Sequence, residues 1–171
     1  MSGFIMSDLP LEFTPDSHPE WVYVDLSRQN ITPCTGCFGC WVKTPGRCVI
    51  RDDAVQIYPI IARSDRLIYV THVQYGSYDI PMKTMLERAI PIQQAFIRLH
   101  HGETHHVQRR VREKDALIIA YGAVSEEEQA LFRRLIERNA HNMLFRSVRV
   151  CFAAQSELNH IVNREVQAWE A

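Results

Sequence analysis

Four cysteines, Cys34, Cys37, Cys40 and Cys48, fall within fifteen positions and concentrate the chemistry of this chain in one stretch, CTGCFGCWVKTPGRC. Their spacing is C-x2-C-x2-C-x7-C, with glycines between them. Two-residue gaps let a tight loop turn successive thiolates toward one point, which is what an iron–sulfur cluster or a tetrahedral zinc ion requires. The glycines supply the positive φ angles such a loop needs. On spacing alone three readings compete. A cluster suits the first three cysteines, although the ferredoxin run closes with C-x3-C-P and here the fourth cysteine comes later. Zinc suits four thiolates, although its sites more often pair two C-x2-C halves separated by a dozen or more residues. The third reading is a folded loop of reduced, partly buried and unliganded thiols.

A second group of ligand-type residues is HHGETHH, in which His100, His101, His105 and His106 fall within seven positions. It invites a metal reading, but a solvated turn at the tip of a hairpin-like excursion over residues 96–112, carrying incidental histidines, is the reading the sequence favours. Met82 and Met85 stand at helical spacing and read as core.

The elements that must position these residues alternate between strand and helix. Gly3 to Met6 suggests a short strand, and Pro10, Pro15 and Pro19 leave little room for a long helix after it, so residues 1–20 form an atypical N-terminal segment. Trp21 to Leu26 is a β-rich run leading into the cysteine loop. Asp52 and Asp53 can cap a helix starting near Ala54, with Gln56 completing a capping box and Pro59 kinking or shortening it. Leu67 to Val73 and Ala116 to Tyr121 are continuous apolar runs of the kind covered on both faces. The first is followed by a loop, Gln74 to Ser77, and a helix packed through Met82, Met85, Leu86, Ala89 and Ile90, ending at Pro91. Ser125 and Glu128 form a capping-box pattern before a helix with the core face Leu131, Phe132, Leu135, Ile136 and Ala140. Val148 to Phe152 reads as the last strand, and Ser156 as the cap of a final helix packed through Leu158, Ile161, Val162, Val166 and Trp169. The alternation predicts an α/β sandwich with a mainly parallel sheet, built as a single domain over residues 1–171. Ligands in such folds sit beyond the carboxyl ends of the strands, where the cysteine loop and the loops at Gln74 and Gly122 are expected to meet.

Composition sets the outer bounds. The chain has 171 residues, 46% hydrophobic and 23% charged, with a net charge of −1, which gives no global case for nucleic acid or an anionic membrane as partner. No apolar run approaches a membrane span, and the N-terminus lacks a basic region followed by an apolar segment. Five cysteines, four of them crowded into one loop, do not look like a secreted disulfide framework. The expected setting is cytoplasmic and the expected partner a small molecule or another protein.

The segments PCTGCFGCWVKTPGRCVIRDD (Pro33 to Asp53) and VTHVQYGSYDIPMKTMLERA (Val70 to Ala89), and more loosely HHGETHHVQRR with the strand and helix after it, resemble the flavodoxin-like NAD(P)H-dependent FMN reductase family, including its iron–sulfur flavoprotein branch. The resemblance covers roughly residues 21 to 155 and implies a sheet of order 2-1-3-4-5. It implies FMN as cofactor, NAD(P)H as electron donor, a small-molecule redox partner and a homo-oligomer. The family's T-P-V-Y-x-G loop against the flavin ring corresponds here to Thr71, His72, Val73, Gln74, Tyr75 and Gly76, with Gly122 and Ala123 lining the other side. It also makes Cys34, Cys37, Cys40 and Cys48 candidate ligands of a [4Fe–4S] cluster or of zinc. Two departures stand out. The family's first strand runs into a G-S-P-R-like loop and a helix that hold the FMN phosphate, and neither has a counterpart in residues 1–20. The seven residues between Cys40 and Cys48 exceed the branch's usual last gap and look more like relatives without a cluster. The functional expectation is an FMN-linked oxidoreductase or electron-transfer flavoprotein; the alternatives are a degenerate, non-enzymatic flavodoxin-like subunit acting through partner binding, or a zinc-stabilised module.

Overall fold

Strand β1 (Gly3–Ser7) lies at the heart of the computed structural model, which describes residues 2–171. It pairs in parallel with β2 (Trp21–Asp25) on one side and β3 (Arg66–Gln74) on the other. Beyond β3 come two more parallel strands, β7 (Lys114–Tyr121) and β8 (Phe145–Ala153), so the order is β2-β1-β3-β7-β8. That is the 2-1-3-4-5 order of the flavodoxin-like fold, as the resemblance implies. Two elements sit outside the parallel series: β4 (Ser77–Tyr78) folds back antiparallel on β3, and β5 (Gln93–His100) pairs with β6 (Glu103–Gln108) as a separate hairpin. The excursion expected over residues 96–112 is thus this hairpin, beginning three residues earlier at Gln93 and ending at Gln108.

The continuous apolar runs are explained by coverage on both faces. Along β3, Leu67, Tyr69 and Val73 enter one core while Ile68 and Val70 enter the other, and β7 divides Ala116, Ile118 and Ala120 from Leu117 and Ile119 in the same way. The first core is closed by α2 (Ala54–Arg63), α3 (Ile80–Glu87) and α4 (Glu126–Met143) through residues such as Ile57, Ile61, Met82, Met85, Phe132 and Ile136. The short α1 (Gly39–Val42) lies within the cysteine loop.

The second face is covered differently. Its one long helix is α5 (Leu158–Glu170), which buries Leu158, Ile161, Val162 and Val166. The β1–β2 connection, residues 8–20, carries no α-helix, and its regular structure is the 3-10 turn Pro15–Ser17. This segment fills the space beside α5 with Phe13, and Leu9 and Leu11 pack against the same core. Direct bonds tie it to α5: Glu12 N–H donates to Asn159 Oδ1 (2.9 Å), Asn163 Nδ2 to Glu12 O (3.4 Å), and His18 meets Glu170 at 2.9 Å. The Trp21 and Trp169 rings stack at 5.7 Å.

Several local expectations are met and some are corrected. The Ser125–Glu128 capping box opens α4. Leu131, expected on its core face, is 45% exposed, because the buried stripe runs through Phe132, Ile136 and Ala140. Ser156 does not cap α5, which instead follows the 3-10 turn Gln155–Glu157 with Glu157 at the cap position. Asp53 makes no cap bond to α2; its carboxylate is taken by the Asn30 N–H (2.7 Å), and Asp52 accepts from the Ala54 N–H (3.2 Å). Pro59 lies within α2 without ending it.

Candidate active site

The carboxyl ends of β1, β3 and β7 converge on a small polar cluster. Asp8, the first residue after β1, accepts the His72 N–H at Oδ2 (2.6 Å) and the Tyr121 hydroxyl at Oδ1 (2.7 Å). Burial pushes the Asp8 carboxyl up, and the hydrogen bonds from Tyr121 and His72 only partly oppose it. Burial and the neighbouring Asp8 carboxylate raise Tyr121 as well. The His72 ring packs edge-on to Tyr121 (5.4 Å), and its Nδ1 stands 3.2 Å from Asp79 Oδ2 without an aligned hydrogen bond. Gly122, at φ +117°, is required by this arrangement, since a Cβ there would lie 2.7 Å from His72 Nε2. The proline found at the position of His72 in the family has no N–H, so the bond between His72 and Asp8 depends on the replacement.

The residues expected to face a flavin ring divide between surface and core. Gln74, Tyr75, Gly122 and Ala123 are exposed, His72 is half-buried, and Thr71, Val73 and Gly76 are buried. The Thr71 hydroxyl donates to the His72 carbonyl (3.0 Å). What the sequence suggests as a loop at Gln74 to Ser77 is a two-residue turn between β3 and β4 with both central residues left-handed, Tyr75 at φ 52° and Gly76 at φ 68°. Tyr75 is 83% exposed, so a bulky aromatic is held in a costly conformation with its ring in solvent.

The phosphate end of an FMN does not fit this chain by itself. No α-helix lies in the described residues 8–20 after β1, so the helix dipole that would receive an anion is missing there, and the first side chain in that place is the Asp8 carboxylate. Ser7 is fully buried, its hydroxyl accepting from the Leu9 N–H (3.3 Å).

The cysteine loop is built as a braced unit. Cys34 and Cys37 are exposed, Cys40 is half-buried and Cys48 buried. Burial raises the Cys40 thiol, and the neighbouring Cys48, Cys34 and Cys37 raise it further. The Gly39 N–H and the Thr35 hydroxyl draw the Cys37 thiol down.

The brace is Arg88. Arg88 is fully buried and reaches the base of the loop, donating to both Asp52 oxygens (2.6 and 2.8 Å) and to the Thr32 and Ile50 carbonyls (2.5 and 3.4 Å). Against the upward push of burial, bonds from Arg88 and the Thr32 N–H hold the Asp52 carboxyl below the usual carboxylate range. Further out, Trp41 Nε1 donates to the Gln93 carbonyl (3.1 Å) and its ring meets His106 at 4.8 Å. Thus the loop leaves the end of β2 and packs on the base of the β5–β6 hairpin. A cavity of about 400 Å³ lies nearby, between α3, α4 and that hairpin, lined by Tyr69, Lys83, Glu87, His106, Leu135 and Asn139 among others.

No family model matches the chain. In sequence it is similar to an iron–sulfur flavoprotein of Archaeoglobus fulgidus, 35% identical over 86 residues that make up 50% of this chain and 38% of that protein. It is also similar to one of Methanocaldococcus jannaschii, 29% identical over 77 residues, 45% of this chain and 39% of the relative. The matched stretch thus spans well under half of each relative. Among solved structures, the NAD(P)H:quinone oxidoreductase from Methanothermobacter marburgensis has a TM-score of 0.60 at 11% identity, covering 98% of this chain and 96% of that one. An FMN-dependent NADH-azoreductase from Bacillus anthracis, solved in complex with FMN, has a TM-score of 0.58 at 10% identity, covering 98% and 97%. The resemblance to the flavodoxin-like NAD(P)H-dependent FMN reductase family and its iron–sulfur flavoprotein branch is borne out, in fold across nearly the whole chain and in sequence across about half of it.

Proposed function

We propose that the chain is an FMN-linked oxidoreductase or electron-transfer flavoprotein of the NAD(P)H-dependent FMN reductase type, whose flavin phosphate is held by something other than residues 8–20. The observation that carries this reading is the conjunction of a fold shared with an FMN-dependent azoreductase and sequence shared with iron–sulfur flavoproteins. The ring would lie against the exposed backbone at Gln74, Tyr75, Gly122 and Ala123, with Tyr75 as its cover. Asp8 and Tyr121 would hold a proton beside it, since burial keeps both in their protonated forms more readily than usual. NAD(P)H is the proposed electron donor and a small molecule the acceptor.

In the same reading Cys34, Cys37, Cys40 and Cys48 ligate an iron–sulfur cluster. The C-x2-C-x2-C spacing, and sequence shared with iron–sulfur flavoproteins, support the cluster over the zinc-stabilised module. A homo-oligomer would supply the missing phosphate contacts from a second copy, and the exposed Phe96, Ile97 and Leu99 on β5 support self-association. A second reading, a subunit that keeps the fold without the cofactor, is favoured by one observation, the Asp8 carboxylate where an anion would sit.

An absorbance titration of anaerobically purified protein with FMN and with riboflavin, with iron and zinc quantified on the same sample, tests these readings. Saturable flavin bands are expected, and tighter binding of FMN than of riboflavin would mark a phosphate contact supplied from outside residues 8–20. Failure of either flavin to saturate removes the oxidoreductase reading in favour of the subunit. Stoichiometric zinc without iron refutes the cluster.

A further inference from the structure

The hairpin histidines separate into two environments. His106 turns toward Trp41, whereas His105 faces the end of α4 and meets His141 from its last turn. Between these two rings stands Glu103. Its Oε2 lies 2.9 Å from His105 Nε2 and 3.3 Å from His141 Nδ1, and the three ligand atoms all lie within 4.8 Å of one another.

We propose that Glu103, His105 and His141 form a binding site for a zinc-class divalent metal ion, which fastens the β5–β6 hairpin to α4. A tetrahedral ion with bonds of about 2.0–2.1 Å to nitrogen and oxygen sets its ligands about 3.3 Å apart. The two separations to Glu103, 2.9 and 3.3 Å, lie at or under that value, while the spread of the three atoms reaches 4.8 Å, so an ion draws the two imidazoles inward around the carboxylate oxygen. Two imidazoles and one carboxylate are also the donor mixture that borderline divalent ions prefer.

The surroundings prepare His105 for this role. Its Nδ1 lies 2.8 Å from Asn142 Oδ1, an acceptor, and with Nδ1 donating there Nε2 is the nitrogen that offers its lone pair to a metal ion. Asn142 is itself pinned by Gln108, whose Nε2 donates to its carbonyl. Arg138 takes the other carboxylate oxygen, Oε1, and leaves Oε2 to the site. Its charge works against a dication, while Glu113 across the adjoining cavity of about 170 Å³ works for one. His100 and His101 line the same cavity, so water or one of these rings can complete the coordination. The site is separate from the flavin and cysteine readings and stands or falls without them.

The test is cobalt(II) titration of the untagged, chelator-stripped full chain, followed by visible absorbance. One equivalent is expected to bind with ligand-field bands of nitrogen and oxygen character and no sulfur-to-cobalt charge transfer. H105A and H141A should abolish those bands, and N142A should weaken binding by about 10–100-fold. H160A, on the exposed surface of α5, should leave them unchanged. As a check independent of the spectrum, zinc should raise the melting temperature of the unsubstituted chain and of H160A but not of H141A. Bands that persist in both H105A and H141A, or cobalt signals that consist of sulfur charge transfer alone, overturn the proposal.

Discussion

Replacing Arg88 by methionine isolates the brace of the cysteine loop. The Arg88 side chain is 0% exposed and its Asp52 partner 6%, so the substitution strands a carboxylate away from water and frees the Thr32 carbonyl as well. Removing one member of a buried pair costs about 3–5 kcal/mol. With a urea slope of about 2.5 kcal/mol per molar, the unfolding midpoint should fall by about 1.2–2 M. The double substitution R88M/D52L leaves no charge behind and should recover most of the loss, because apolar replacement of both partners is often close to neutral. The pH dependence has a definite sign. In the native chain the Asp52 carboxyl is held down, so its contribution is present above the unfolded value of about 3.9 and is lost as pH falls through the lower folded value. In R88M the stranded carboxyl is pushed up, which favours the folded state as it protonates. The deficit of R88M is therefore largest near neutrality and narrows as pH falls toward 4. Denaturation at pH 7 and pH 4.5, with thiol labelling of the buried Cys48 as a local readout, checks both parts. A midpoint shift below about 0.3 M, or equal losses in R88M and the double variant, would refute the argument.

Asp8→Asn removes a buried charge whose folded value is raised, so it should stabilise the protein at pH 7; the difference should vanish below about pH 4, where the native carboxyl is protonated in both states. Thermal melts across that range decide it, and a variant less stable than the parent at pH 7 would show the carboxylate to be favourable where it stands. Gly122→Ala should cost about 1–3 kcal/mol through its left-handed φ and the clash with His72, lowering the melting temperature by about 2–12 °C. Adding His72→Ala removes the clash but not the φ cost, so partial rescue is the expected outcome and full rescue would assign the whole effect to the ring.

The sheet was readable from residue types because β3 and β7 are covered on both faces, which leaves unbroken apolar runs between turns. The cysteine loop was readable for a similar reason: its ligand-type residues are neighbours in sequence. What could not be read are contacts made across long separations. Asp8 reaches His72 over 64 positions, Arg88 reaches Asp52 over 36, and His141 reaches Glu103 over 38. His141 stands alone in a helix that reads as amphipathic, so nothing local distinguishes it from a surface residue. The absence of a phosphate loop was legible, but that a carboxylate takes its place was not, since Asp8 looks like any polar residue after a strand. Ser156 misled because a serine before an apolar helix suits a cap, and here the chain spends one more turn before α5 begins.

The helix-free connection between β1 and β2 has a consequence for the order in which the molecule forms. Residues 8–20 bury Phe13 against a helix some 145 positions further along, and bond to Asn159 over 147 positions. During vectorial synthesis, at about 5–20 residues per second, this face of β1 and β2 waits for at least several seconds without its cover. A crossover helix would have sheltered Ile5 as soon as it emerged. Here that shelter is a late, nonlocal event, so closure of α5 is the step at which a nascent chain stops presenting apolar strand surface to its neighbours.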